Sequence, residues 1–394
     1  MTRTAPDACP GVLRLHQAAD GPLARVRIPG GLLTPDQLRG LAEAATELGD
    51  GALELTSRGN VQLRRVRDAA ELTARLEAAG LLPSHSHERV RNIVASPLAG
   101  RTGGTGAVHP LVAALDARLL ADPALASLPG RVLFTLDDGR GAISALGGDI
   151  GVQAVTDEFA LLLAGADTGI RLAATDAVDV MIAAAHAFLA LSSGQWRLHE
   201  IPDGAARVVD LLGLSPTDNR VEPAPPAAPP IGWLPQDDGL VALGAGVALG
   251  SLPARTAEFL VAVERPVVLT PWRGLVVTDL DEWTAEQVVR VLAPMGLIFD
   301  ANSPWLLVSA CAGRPGCAKS HTDVRADVAA AVAEGRVPGP GEPTTLAAGP
   351  RAADQLAVAG RQHWSGCDRR CGRPRGPVVE VTAAADGYHV TGPA

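Results

Sequence analysis

The run Ala52-Leu53-Glu54-Leu55-Thr56-Ser57-Arg58-Gly59-Asn60-Val61-Gln62-Leu63-Arg64-Arg65-Val66 sets the reading of the N-terminal part of the chain. Two alternating stretches, 52–56 and 61–66, flank Ser57-Arg58-Gly59-Asn60, whose residue types favour a tight turn, so the run predicts a hairpin. Upstream, residues 23–28 predict a strand. Thr34 then predicts an N-cap, with Pro35 at the first helical position and Gln37 completing a capping box. Leu38, Leu41, Ala45 and Leu48 share one face of that helix, and Gly49 stops it. Downstream, Asp68 and Glu71 open a second helix that Gly80 ends, after which Leu81 is expected to lead back to the sheet.

The order β-α-β-β-α is that of a ferredoxin-like half, and it recurs. Residues 239–247 read as a strand, 252–263 as a helix with Pro253 near its start, and 267–270 and 275–278 as strands around Trp272-Arg273-Gly274. Thr284 and Gln287 predict another capping box for a helix ending at Gly296. Each copy has an Arg-Gly pair in its central turn, which points to an internal duplication. The following segments also match: residues 93–100, IVASPLAG, parallel 307–313, LVSACAG, and each leads to an Ala/Val-rich helix and a later strand, 150–155 and 378–381.

The expected fold class is therefore α+β, a tandem of duplicated modules, each a ferredoxin-like half followed by an α/β domain. The predicted boundaries are 1–85 for the N-terminal segment and first half, 86–221 for the first α/β domain and 222–238 for a stiff Pro/Ala-rich linker. The second half covers 239–299, and the second α/β domain covers 300–394.

Composition fits a multidomain globular chain: 394 residues, 47% hydrophobic and 20% charged. The net charge of −9, with no basic run, argues against nucleic acid or a membrane surface as partner. The most apolar later stretch, 178–191, contains His186 and is short for a spanning helix. A soluble, cytoplasmic protein is expected, where cysteines serve metals or chemistry more often than disulfides. Lys319 is the only lysine, so arginine carries the rest of the positive charge and suits a carboxylated ligand.

Four of the five cysteines form two pairs: Cys311 and Cys317 with Ala-Gly-Arg-Pro-Gly between them, Cys367 and Cys371 with Asp-Arg-Arg between them. Glycine-bearing loops that bring four thiolates together suit a [4Fe–4S] cluster, and neighbouring arginines would keep the thiols ionised. Zinc favours shorter spacers than the first pair has, although a zinc site or unligated thiols remain the alternatives. Cys9, in Ala8-Cys9-Pro10-Gly11, stands apart.

Three stretches together resemble the nitrite/sulfite reductase superfamily: residues 55–62, LTSRGNVQ; residues 91–97, RNIVASP; and the two cysteine pairs. The resemblance spans nearly the whole chain. It implies two ferredoxin-like halves packed as one domain, with two α/β domains around a tetrapyrrole site. Within the superfamily, residues 9–14, CPGVLR, and 25–31, RVRIPGG, are similar to the branch serving aerobic cobalamin formation. That branch implies oxidation of precorrin-3A by dioxygen, with ring hydroxylation and lactone formation from an acetate. It also implies an electron donor, the cluster, and a mononuclear non-haem iron in place of sirohaem.

Arg58 and Arg91 match basic active-site positions of the superfamily. Arg131 keeps one charge of a lysine-bearing strand, and Leu133 falls where the reductases carry a second lysine. Arg58, Gln62, Arg91 and Arg131 are the tetrapyrrole-binding candidates implied. No catalytic residue is singled out, and neither is a ligand set for a mononuclear iron, for which His16, His109 and His363 are open options. The alternatives are a sirohaem-dependent nitrite or sulfite reductase, and a non-catalytic zinc- or tetrapyrrole-binding module.

Overall fold

In the computed structural model, residues 7, 9–225, 227–339, 350–374 and 376–392 are described. The hairpin forms from Ala52–Leu55 and Val61–Arg64, closed by Thr56 N–H donating to the Asn60 carbonyl at 3.0 Å. Helix Pro35–Leu48 carries the expected capping box, Thr34 and Gln37 each accepting from the other's backbone N–H. Helix Ala69–Ala78 is capped by Asp68, which accepts from the N–H groups of Ala70 and Glu71. Leu81 and Leu82 do not return to the sheet. They bury themselves in the core below this helix, and the next strand, Ile93–Ala95, belongs to another sheet.

The second half repeats this order with Gly232–Pro235, Val241–Val247, helix Ala254–Val261, Val267–Leu269, Gly274–Leu280 and helix Glu282–Leu292. The expected linker is thus shorter: Gly232–Pro235 is already an edge strand, antiparallel to Val241–Val247. The helix expected from 252 begins at Ala254, because Ser251–Pro253 pairs with Ala52–Glu54 of the first half. Proline is tolerated there because the strand lies at the sheet edge. The exchange is reciprocal, since Leu32–Leu33 of the first half pairs with Val267–Val268 of the second. The last helix is capped by Asp281 rather than Thr284: its carboxylate accepts from the Thr284 N–H at 2.9 Å and the Thr284 hydroxyl at 2.7 Å.

Because each half lends a strand to the other, their helices close over one core. Leu33, Leu41, Leu53 and Leu63 share it with Leu243, Leu252, Leu260 and Leu275. Each half then feeds an α/β module. In the first, Ile93–Ala95, Phe134–Asp137 and Ile150–Val155 run parallel, and Glu158–Leu163 and Ala166–Leu172 continue antiparallel. In the second, Val308–Ala310, Gln362–Ser365 and Val379–Ala384 run parallel and Gly387–Thr391 returns antiparallel.

Helix Ala174–Leu191 has the length and hydropathy of a membrane span. Its Ala177, Met181, Ala184, Ala185 and Phe188 are buried in the core of the first module, which explains the apolar composition without a membrane.

Candidate functional site

Strand alternation splits the first half's sheet into two faces. Ala24, Val26, Leu53, Leu55, Val61 and Leu63 point to the helices. Leu23, Arg25, Glu54, Gln62 and Arg64 point the other way, and all five line a cavity of ≈ 670 Å³. Arg25 lies opposite Gln62, and Gln62 opposite Glu54, so three polar side chains form a row across three strands. With the Gln62 amide turned so that its oxygen faces the Arg25 guanidinium, the orientation that satisfies both groups, it accepts from Nε at 3.0 Å.

The cavity's other wall comes from the second module. The cysteine pairs follow the C-terminal ends of the adjacent parallel strands Val308–Ala310 and Gln362–Ser365, the end of an α/β sheet where ligands are commonly held. Cys311 N–H donates to the Trp364 carbonyl at 3.0 Å, and Gly366 N–H donates to Cys311 Sγ at 3.2 Å. Gly366 has to be glycine, since a Cβ there would lie 1.8 Å from Ser320 Oγ. All four thiols line the one cavity. Burial, then the charges of Cys311, Cys367 and Cys317, push the Cys371 thiol up.

These residues fit a cluster. A [4Fe–4S] group takes one thiolate per iron, so its ligands surround a volume rather than meet at a point. Among the described residues, no three His, Cys, Asp or Glu side chains gather closely enough for a single ion. By the same observation, a mononuclear iron finds no ready ligand set among the described residues. His16 lies on the cavity's rim. His363 is fully buried, bonded through Nδ1 to Ser309 Oγ at 2.9 Å, and desolvation holds its pKa at about 4. His109 sits apart, beside Arg101.

One ion pair fixes the walls to each other, and a second braces the first wall from within. Arg325, from the helix after the first cysteine pair, grips Glu54 at 2.8 and 3.0 Å, with Nε 3.3 Å from the Cys311 carbonyl. Arg64 grips Asp20 at 2.5 and 2.6 Å.

The sequence-predicted arginines separate. Arg58 is half-buried and donates to the Arg131 carbonyl at 3.0 Å; desolvation and then the Arg197 charge lower its pKa to about 10. Arg131 stands over the Trp196 ring, 4.7 Å from its centroid. Next to them, Arg27 is brought down to about 9 by burial and by Arg25. Cys9 lies against Arg25, so the N-terminal segment borders this arginine group. Arg91 is not in the cavity: it is buried and holds Asp116 through both Nε and Nη2, at 2.7 and 2.6 Å. Pairing with the helix Val108–Ala121 gives it a structural partner that sequence inspection did not reveal.

Sequence inspection missed Arg25, Arg64, Arg273, Lys319 and Arg325 as site residues, although all line the cavity. Alternation offered a signal for two of them, because Arg25 and Arg64 share a strand face with Gln62 and its neighbours across the sheet. Arg325 came from a helix whose placement depends on tertiary contacts.

Comparison with known proteins agrees with this architecture. The family profile described as nitrite/sulfite reductase ferredoxin-like half domain matches residues 16–79. The Mycobacterium tuberculosis NirA protein superposes with a TM-score of 0.73 at 20% identity, over 94% of this chain and 74% of its own. A precorrin-3B synthase from Sinorhizobium sp is 27% identical over 395 aligned residues, 97% of this chain and 81% of that protein. Residues 16–79 thus carry a nitrite/sulfite reductase ferredoxin-like half domain, and the whole chain shares the fold of NirA. A ferredoxin–nitrite reductase of Leptolyngbya laminosa is 45% identical, but over 82 residues, 20% of this chain and 16% of its own. The higher identity is thus confined to a short stretch, while the similarity to the precorrin-3B synthase runs over nearly the whole chain.

Proposed function

We propose that this chain acts as a precorrin-3B synthase, oxidising precorrin-3A with dioxygen beside a [4Fe–4S] cluster held by Cys311, Cys317, Cys367 and Cys371. The distribution of cations carries this reading. Arg25, Arg273 and Lys319 line the cavity, where ring carboxylates of a tetrapyrrole would meet them. At two of the four positions matching the reductases' basic residues, charge is withheld: Arg91 is committed to Asp116, and Leu133 is buried with Val94 and Ile143, while Arg58 and Arg131 keep theirs. A reduced set of free cations there suits a large polycarboxylate better than the reduction of a small anion, which needs protons and charge delivered to it.

In this scheme Gln62 holds Arg25 in place for a carboxylate, while Arg325–Glu54 keeps the cysteine loop against the sheet. The cluster would supply one-electron transfer. Ring hydroxylation puts one oxygen atom of dioxygen into the macrocycle and releases the other as water, so a donor must provide two electrons and two protons. The lactone would then close without further oxidant, the acetate oxygen bonding to a carbon of a ring double bond as that π bond breaks and the acid proton passing to the macrocycle.

The test is direct. Protein reconstituted anaerobically with iron and sulfide is given precorrin-3A, a chemical reductant and ¹⁸O₂. A product carrying one labelled oxygen is expected, and no oxygen gain would sink the assignment. Sirohaem in a pigment extract would move the assignment to a reductase.

A further inference from the structure

The two central turns are not equivalent in the way their Arg-Gly pairs suggest. In the first, Gly59 N–H donates to the Thr56 carbonyl at 3.1 Å, with Gly59 at φ +63°. In the second, Arg273 N–H makes that bond to the Thr270 carbonyl, at 3.1 Å, with φ +58°. Thr56 N–H pairs with the Asn60 carbonyl and Thr270 N–H with that of Gly274. Arg273 therefore occupies the place of Gly59, one residue away from the counterpart of Arg58. Packing repeats the equivalence: Gly59 lies against Gly31, and Arg273 lies against Gly250, the corresponding residue of the other half.

This position needs left-handed backbone, which glycine adopts freely and arginine does not. Such strain persists where the surroundings enforce it, and it concentrates at functional sites. The surroundings here are built for the side chain. Gly250 has no Cβ, and one there would stand 3.1 Å from Arg273 Cδ. The guanidinium crosses from the second half to the cysteine loop, where Nη2 donates to the Gly372 carbonyl at 3.2 Å, one residue beyond Cys371. It lines the same cavity as the four thiols.

We propose that Arg273 is a positioning residue for the iron–sulfur site, holding the Cys367–Cys371 loop and raising the cluster's reduction potential with a half-buried cation. The inference rests on the cluster assignment above. A cation beside a cluster stabilises the reduced form, which carries one more negative charge. Burial, the largest influence, lowers the Arg273 pKa, in keeping with a guanidinium partly withdrawn from water. The pull of Glu54 acts the other way.

Arg273→Gly separates backbone from side chain, because glycine restores the residue that the first half uses. The full-length protein is reconstituted with iron and sulfide, and its midpoint is read by a redox titration followed by electron paramagnetic resonance. In Arg273→Gly the metal-free chain should melt at the wild-type temperature or higher. Its cluster midpoint should fall by about tenfold in the redox equilibrium, about 59 mV for one electron, and a chelator should strip its iron faster. Arg273→Lys, which keeps the charge, should stay near the wild-type midpoint. If Arg273→Gly takes up no cluster, Arg273→Lys decides: a cluster with a near-native midpoint supports the role, and failure to bind one overturns it. A cluster-bearing Arg273→Gly with an unmoved midpoint overturns this inference alone. A wild-type chain that takes up no iron and sulfide overturns the cluster assignment and this inference together.

Discussion

In the first ferredoxin-like half, the sheet face turned away from the helices carries Leu23, Arg25, Glu54, Gln62 and Arg64 and opens on the cavity. In the second, the corresponding face carries Ala242, Gly244, Gly246, Val268 and Val276. That face is covered: Leu98 of the first module packs on Ala242, Val268 and Val276, the Pro230 carbonyl crosses Gly244, and Leu306 crosses Gly246. The two helix-facing sides remain alike, because together they make one core. Duplication thus supplied two equivalent faces, and side-chain chemistry turned one into a site and the other into a seat for the neighbouring module.

The largest expected effect comes from making the open face apolar where it carries an ion pair. Glu54→Leu leaves Arg325 without its partner and should lower stability by about 2–3 kcal/mol, the lower end for a buried pair because Arg325 keeps some solvent. Denaturant unfolding checks this, and an unchanged midpoint would mean that the two walls are held by other contacts. Arg25→Leu should act on ligand rather than fold. Losing one charge-assisted hydrogen bond should weaken binding of a carboxylated tetrapyrrole by about 10- to 100-fold, with the melting temperature unchanged, as a fluorescence-quenching titration would show.

The covered face should respond in the opposite way. Gly244→Ala puts a Cβ 1.9 Å from the Pro230 carbonyl oxygen, so the linker must shift. A loss of about 1–3 kcal/mol is expected, with cluster content and tetrapyrrole affinity intact. The smallest effect is a pH dependence at the seat's edge. Arg101 of the first module holds Asp279 at 2.8 Å through both carboxylate oxygens. Its hydrogen bonds, with those of Gln236 and Thr278, lower the Asp279 pKa from 3.8 to about 2 against opposing desolvation. Since the folded carboxylate binds protons less readily than the unfolded one, this stabilisation is complete above about pH 4 and fades as pH falls towards 2. Comparing wild type with Asp279→Asn across that range should show a difference in unfolding free energy that shrinks as pH falls.

Much of the local architecture was legible. The capping box at Thr34 and Gln37, the 52–66 hairpin and the Asp68 cap are short-range chemistry, and they form as the residues dictate. Reading became less secure where two halves meet. Ser251–Pro253 looks like the start of a helix because nothing nearby in sequence shows that its partner is Ala52–Glu54. Asp281, a carboxylate directly before the helix, took the capping role assigned to Thr284.

The cysteine spacing determined by itself which thiols could act together, because a loop pair with glycines needs only the ends of two neighbouring strands to converge. The hydrophobic periods likewise determined the repeated β-α-β-β-α order. Only tertiary structure decided which charges serve the cavity. Arg91 is withdrawn by Asp116, twenty-five residues away, while Arg325 reaches Glu54 across 271 residues. An arginine's role is set by the nearest carboxylate in space, and no spacing along the chain encodes that distance.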